Sequence, residues 1–191
     1  MCGRYLANAG SSDVRIQKLV SMMERDYQGQ YKTGEIFPGD TAPAVLGEGG
    51  RLRHAPAVFG LPGFQNGRLL INARAETAAE KPTFAEALRL RRVVLPADGF
   101  YEWDRGGDKT KYLFTAQDDS PLYLCGIYKV IDGVYRFAIL TRPAEGEMLG
   151  VHDRMPVIAR AQEVRPYLTD YFFALRLLTG DAPALRKQKA E

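Results

Sequence analysis

The chain has 191 residues, 46% hydrophobic and 26% charged, which suits one globular domain with a full core. No apolar run approaches a membrane span and no signal-peptide pattern is present. The two cysteines, Cys2 and Cys125, exclude a disulfide framework, so cytosolic residence is expected. The two histidines, His54 and His152, lack metal-ligand spacing, so no metal or other cofactor is expected, and a net charge of +3 permits nucleic-acid binding without establishing it.

In chain order, Ser11-Ser12-Asp13 starts a helix that runs to about Tyr27, with Val14, Leu19, Val20, Met22 and Met23 as its apolar face. The stretch from Gly29 to Thr41 has no periodicity and reads as a loop. Strand signals follow at Ala44 to Leu46, Arg53 to Phe59 and Leu69 to Ile71. Thr83 can cap a helix to about Leu90, with Glu86 completing a capping box. Arg92 to Pro96 and Phe100 to Trp103 read as strands around a turn at Ala97-Asp98-Gly99. Tyr112 to Thr115, Leu122 to Tyr128 and Val134 to Leu140 continue the set, with Asp132-Gly133 as a hairpin turn. Met155 to Ala159 is one more strand, and a short helix covers Gln162 to Leu168. The expectation is an α+β protein: a single domain over residues 1–180, built on a curved, barrel-like antiparallel sheet with a few flanking helices, and a frayed basic tail over 181–191.

The chemistry is concentrated in four segments. The chain opens Met1-Cys2-Gly3-Arg4-Tyr5. Loss of Met1 leaves Cys2 with a thiol and a primary amine on adjacent carbons, whose reference pKa values are about 8.5 and about 7.7–8.0, so both nucleophiles are partly available near neutral pH. An amine condenses with an aldehyde to an imine, and a neighbouring thiol can close on the same carbon to a thiazolidine. The second segment is Ile71-Asn72-Ala73-Arg74-Ala75-Glu76-Thr77, where Asn72 taken alone, just past an apolar strand, is better read as simply turning the chain. In the third, Gly99-Phe100-Tyr101-Glu102-Trp103, period two puts Glu102 and Phe100 on one face; a carboxyl beside large aromatics needs a partner or a raised pKa, and the latter suits proton transfer. The fourth is Val151-His152-Asp153-Arg154-Met155-Pro156-Val157, in which a lone loop histidine is more often surface than catalytic and Arg154 is a phosphate-binding candidate.

Taken together and in this order, Cys-Gly-Arg-Tyr, Asn-Ala-Arg-Ala-Glu-Thr, Gly-Phe-Tyr-Glu-Trp and His-Asp-Arg-Met-Pro-Val resemble the SRAP family (SOS response-associated peptidase domain, also called abasic-site processing proteins). The resemblance runs from Cys2 to about Leu168. It implies binding of single-stranded DNA and a covalent thiazolidine between Cys2 and the ring-opened aldehyde of an abasic site, which shields the lesion during the DNA-damage response. It also implies lyase-like activity and reversal of the crosslink. By that resemblance Cys2 is the nucleophile, Asn72 positions the N-terminus and the opened sugar, Glu102 shuttles protons, and His152 assists ring opening and the acid/base steps. Arg74 and Arg154 match phosphate-holding positions, with Arg4 a further candidate. The protein would be a monomer, nucleoid-associated when bound to DNA.

Three departures from the family pattern stand out. Val58-Phe59-Gly60-Leu61-Pro62 replaces a tryptophan-bearing segment, so Phe59 is the candidate for stacking on bases. Phe37-Pro38-Gly39-Asp40 replaces an Ala-Pro-Thr stretch and brings in the charge of Asp40. Arg142-Pro143 replaces small polar residues, so Arg142 is either a phosphate contact or a surface charge. Cys125 reads as core, His54 as an ordinary histidine, Trp103 as packing under the site and Tyr5 as an anchor of the N-terminal strand. Two other functions remain open on the residues alone: a thiol autopeptidase that removes Met1, and a non-covalent single-strand binding module.

Overall fold

The structure is a computed structural model, and it describes residues 2–7, 13–63, 67–106 and 108–190. The strands are β1 (Tyr5–Ala7), β2 (Gly34–Ile36), β3 (Thr41–Glu48), β4 (Arg51–Phe59), β5 (Leu61–Pro62), β6 (Leu69–Leu70), β7 (Asn72–Arg74), β8 (Arg92–Ala97), β9 (Gly99–Trp103), β10 (Lys111–Ala116), β11 (Leu122–Ile131), β12 (Val134–Pro143), β13 (Arg154–Pro156), β14 (Ile158–Ala159) and β15 (Leu185–Lys189). The helices are α1 (Val14–Tyr27), α2 (Ala75–Ala78), α3 (Pro82–Leu90), α4 (Val164–Thr169) and α5 (Tyr171–Thr179).

The larger sheet closes on itself. Its order runs β12-β4-β3-β8-β11, and β11 pairs back to β12. Closure removes the free edges that a strand-rich chain must otherwise protect. Most pairings are antiparallel, as expected, but β12 pairs in parallel with both β4 and β7, so the sheet is mixed. The alternation along each strand explains the ring. Ala42, Ala44 and Leu46 of β3, Ala55, Ala57 and Phe59 of β4, Val93 and Leu95 of β8, Leu122 and Leu124 of β11, and Phe137 and Ile139 of β12 share one buried cluster. Their sequence neighbours Val94, Tyr123, Cys125, Ile127, Ala138 and Leu140 form a second cluster under Phe84, Leu88, Tyr167, Ala174 and Leu177 of the helices. Side chains on a strand point alternately to opposite faces, so a ring covered on both sides reads as a nearly unbroken apolar run. The six buried residues of β8 are the clearest case.

A second sheet, ordered β15-β10-β9-β1-β2, carries the N-terminal strand in its interior. Tyr5 pairs with Phe100 on one side and Ile36 on the other. The chain end is therefore gripped from both flanks. The aromatic core beneath it includes the Phe100–Phe114 stack, with ring centroids 5.3 Å apart.

Several expectations change. The helix expected to be capped by Thr83 begins two residues earlier, at Pro82, with Lys81 as its N-cap. Proline's fixed φ and missing N–H suit that first position, and Glu86 pairs with Arg91 at 3.1 Å instead of closing a capping box. Of the Ser11-Ser12-Asp13 start, Asp13 is the N-cap, accepting from the N–H of Arg15 and Ile16, and the two serines lie outside the described residues. The loop from Gly29 contains β2. The strand expected over Met155 to Ala159 is two, because Val157 crosses between neighbours: its N–H donates to Leu140 and its carbonyl accepts from Cys125, each at 2.8 Å. The expected frayed tail over 181–191 is corrected most clearly. Leu185–Lys189 is an edge strand in register with β10, from Tyr112↔Lys189 to Ala116↔Leu185. Its charged sequence suits an edge that must not pair with another chain, and that composition reads as a tail from sequence alone. Helix α5 was not anticipated; Asp170 caps it through the N–H of Phe172 at 2.8 Å and Phe173 at 3.0 Å. The Asp132-Gly133 hairpin is as expected, with both residues at positive φ, 50° and 77°.

Candidate functional site

Cys2 sits three residues before the start of β1 and is wholly buried. Its carbonyl accepts a hydrogen bond from the Asn72 side-chain amide at 3.1 Å. Asn72 reaches it because β7 lies parallel to β12, in the register Asn72↔Ile139, and the same amide also donates to the Ile139 carbonyl at 3.5 Å. The amide oxygen of Asn72 is buried and has no hydrogen-bond partner among the described residues. An acceptor kept dry beside the Cys2 backbone is suited to a donor that arrives later, such as an amine or a sugar hydroxyl.

Glu102 lies on β9, which pairs with β1, and only 3% of it is exposed. Burial raises its carboxyl pKa; the charge of Arg105 and the Trp103 N–H oppose that rise. The Cys2 thiol pKa is also pushed up, first by burial and then by the negative charge of Glu102, with the Arg4 N–H opposing. Cys2 and Glu102 are thus electrostatic neighbours, and the Glu102 carboxylate favours the protonated form of the thiol.

His152 precedes β13 and is 5% exposed. Burial and the charge of Arg105 lower its pKa to about 4, against support from Asp153. It is a neutral base at neutral pH. Its Nδ1 lies 2.9 Å from the Arg154 N–H and 2.8 Å from the Asp153 carboxylate. A neutral ring cannot serve both. Asp153 is largely solvent-exposed and also meets Arg105 at 3.0 Å, whereas the Arg154 N–H is fixed in the backbone. The tautomer with Nδ1 accepting from Arg154 and the proton on Nε2 satisfies the more constrained group.

Arg105 is the residue the sequence reading missed. It follows the Gly-Phe-Tyr-Glu-Trp strand by two positions, and its charge acts on both Glu102 and His152. A cation just past an acidic strand is too common to stand out without the fold.

The five arginine and aromatic candidates separate. Arg74 is exposed and forms no ion pair among the described residues. Arg154 is held by Glu76 through both guanidinium nitrogens and by the Thr141 carbonyl at 2.6 Å. Arg142 donates to the Gly180 carbonyl and meets Glu145 at 3.4 Å, so it fastens the C-terminal segment and its guanidinium is turned away from a phosphate role. Phe59 is corrected: it is fully buried, stacked on Phe137 with centroids 5.0 Å apart, and offers no face to a base. Arg4 is half-buried, with its guanidinium 4.2 Å from the Phe37 ring centroid and 4.8 Å from that of Trp103, and it pairs with Glu35 at 3.4 Å. Tyr5 is buried in β1 and Cys125 in the outer core, both as expected. His54 packs on β4 against Asp26 at 2.7 Å.

No group of three or more His, Cys, Asp or Glu side chains suited to a metal ion occurs among the described residues. Among them, too, no helix is long and apolar enough to cross a membrane. A cavity of about 540 Å³ lies away from Cys2, between Arg15, Tyr123, Arg160 and Pro183, and contains none of the four candidate catalytic residues.

Comparison with known proteins bears on this arrangement. A sequence model of the family described as SOS response associated peptidase (SRAP) matches residues 1–175. The chain is 31% identical over 202 residues to the abasic site processing protein YoaM of Bacillus subtilis, covering 95% of this chain and 87% of that one. It is 30% identical over 181 residues to the abasic site processing protein YedK of Escherichia coli, covering 88% and 79%. In fold it is similar to a crystal structure of a Bordetella bronchiseptica protein, with a TM-score of 0.76, 22% identity and full coverage of both chains.

Proposed function

This chain belongs to the SOS response associated peptidase family, and on that premise we infer that it processes abasic sites in single-stranded DNA, forming a covalent thiazolidine crosslink through Cys2 once Met1 has been removed. The observation that supports the chemistry is the meeting of three strands at Cys2: Asn72 holds its carbonyl, and Glu102 faces its thiol closely enough to act on its ionisation.

The steps balance as follows. The Cys2 amine adds to the aldehyde carbon of the ring-opened sugar to give a carbinolamine. The carbinolamine oxygen leaves as water, taking a proton from the Glu102 carboxyl, whose raised pKa keeps that proton available nearer neutrality. The thiol sulfur then bonds to the imine carbon. Its proton passes to the Glu102 carboxylate left from the previous step and restores the carboxyl, while the C=N electron pair settles on the ring nitrogen, which keeps the proton it already carried as the iminium. One water is released in all. A thiol held protonated by burial is a poor nucleophile by itself, so ring closure follows capture of the aldehyde. His152, neutral at pH 7, serves as the base for opening the sugar and for the proton transfers of reversal. When closure fails, the imine is the intermediate from which β-elimination would break the strand, which is the lyase-like branch. Peptide-bond chemistry is confined in this reading to the Met1–Cys2 bond.

The test uses protein whose loss of Met1 is established by mass spectrometry, incubated with a single-stranded oligonucleotide carrying one abasic site and resolved on a denaturing gel. A shifted band is expected, absent in Cys2→Ala. Cys2→Ser retains the amine, so an imine trapped by borohydride should persist while the heat-stable adduct is lost. An undiminished band from Cys2→Ala would remove the reading.

A further inference from the structure

The segment Phe37-Pro38-Gly39-Asp40 is left unexplained by the chemistry above. Asp40 turns out not to face the site as a bare charge. Its carboxylate accepts from the Phe37 N–H at 2.9 Å and pairs with Lys32 at 2.7 Å. Its own N–H donates to the Phe37 carbonyl at 3.0 Å, and two further backbone bonds tie the turn to Phe59: Gly39 N–H to the Phe59 carbonyl at 2.7 Å, and Phe59 N–H to the Asp40 carbonyl at 2.8 Å. Gly39 takes φ +94°, which a side chain would resist. The turn is thus held through both the backbone and the side chain of Asp40, and what it presents outward is the ring of Phe37, 36% exposed.

The ring's place matters as much as its exposure. The β1–β2 register runs Ala7↔Gly34, Leu6↔Glu35, Tyr5↔Ile36. One more step along it sets Phe37 opposite Arg4, two residues from Cys2. The Arg4 guanidinium lies 4.2 Å from the Phe37 ring centroid and the Lys32 ammonium 4.9 Å from it. Single exposed apolar side chains are common and need no explanation. Phe172 is such a case, more exposed and touching Tyr171 in the helix layer. Phe37 differs in being held by its turn, carrying two cations over its ring and standing opposite Arg4.

We propose that Phe37 is a nucleobase shelf: the base of a nucleotide flanking the lesion stacks on its ring in place of the Arg4 and Lys32 cations that lie over it, and those two cations turn to that nucleotide's phosphates. This rests on the reading that single-stranded DNA is the ligand. It assigns to Phe37 the stacking role that buried Phe59 cannot fill. Stacking on an aromatic side chain tolerates any base and adds to a backbone-tracking cationic groove.

The test separates binding from chemistry. Equilibrium binding is measured with a single-stranded oligonucleotide carrying a tetrahydrofuran abasic analogue, which has no aldehyde. The nucleotides on its two sides carry bases in one series and are baseless spacers in another. The parent protein should prefer the base-bearing flank by about five-fold or more, the lower end of one base–aromatic stack. Phe37→Ala and Phe37→Leu should erase that preference, and Phe37→Trp should keep it. Leucine retains an apolar cover over Arg4, so its failure to rescue distinguishes stacking from packing. Equal affinity of the parent for both series overturns the shelf, as does an undiminished preference in Phe37→Ala. A parallel reaction with a true abasic site reads adduct formation. A preference without an adduct removes the covalent chemistry and keeps the shelf; an adduct without a preference does the reverse.

Discussion

The side-chain amide of Asn72 donates to the backbone carbonyl of Cys2 across 3.1 Å, although the two residues are 70 apart in sequence. The contact fixes by its backbone the residue proposed to meet the aldehyde, leaving its amine and thiol unengaged by Asn72. An N-terminal nucleophile is otherwise the most mobile part of a chain.

Asn72→Ala should therefore slow adduct formation more than it lowers stability. One neutral hydrogen bond contributes about 0.5–1.5 kcal/mol, so unfolding in urea should shift only slightly. Single-turnover crosslinking of Met1-processed protein should fall about ten-fold or more, because a reacting group loses its fixed orientation. Asn72→Asp should be worse, since it sets a carboxylate against the Cys2 carbonyl oxygen. A crosslinking rate equal to the parent's in both variants would detach Asn72 from the chemistry.

Glu102 should show opposite effects on stability and on reaction. Its folded pKa is raised by burial, so its contribution to stability is present below the unfolded value, about 4.3, and is lost as pH rises through the folded one. Glu102→Gln removes that loss. The variant should gain stability over the parent as pH is raised from 4 to 7.5 in urea titrations. Its crosslinking rate should drop about 100-fold or more, the usual contribution of a positioned proton donor.

His152 runs the other way. Its folded pKa of about 4 lies below the ordinary 6.5, so the folded state holds fewer protons than the unfolded chain between those values. The stability it supports is complete above about pH 6.5 and is lost as pH falls to about 4, by up to about 3 kcal/mol. His152→Gln should flatten the stability profile in that window. Arg105→Ala should raise the His152 pKa and Asp153→Asn should lower it further, both read by NMR titration of the ring.

Arg92 tests the scaffold apart from the site. It is 4% exposed, and its guanidinium donates to four carbonyls: Leu88 at 2.8 Å and Arg89 at 2.5 Å at the end of α3, and Tyr167 at 2.6 Å and Leu168 at 3.1 Å at the end of α4. A cation at two helix C-termini answers both their unpaired carbonyls and their dipoles. Arg92→Met should destabilise the protein by about 2–4 kcal/mol in urea, with crosslinking by the remaining folded protein unchanged at low temperature.

The sequence by itself determined most of the strands, the closed apolar alternation of residues such as Val93, Val94 and Leu95, the Asp132-Gly133 turn and the four motifs with Cys2, Asn72, Glu102 and His152. Those features are local: a turn needs two residues of the right φ, a strand needs period two, and a motif is a short string. Tertiary structure alone decided the parallel seating of β7 on β12, which delivers Asn72 to Cys2. It also decided the pairing of a charged terminal segment as β15, the burial of Phe59 and the exposure of Phe37. The two phenylalanines make the reason plain. Each stands in an apolar-rich segment near a glycine, and nothing within a few residues says which ring faces the core. That is set by which strands pair across the ring, a property of partners distant in the chain.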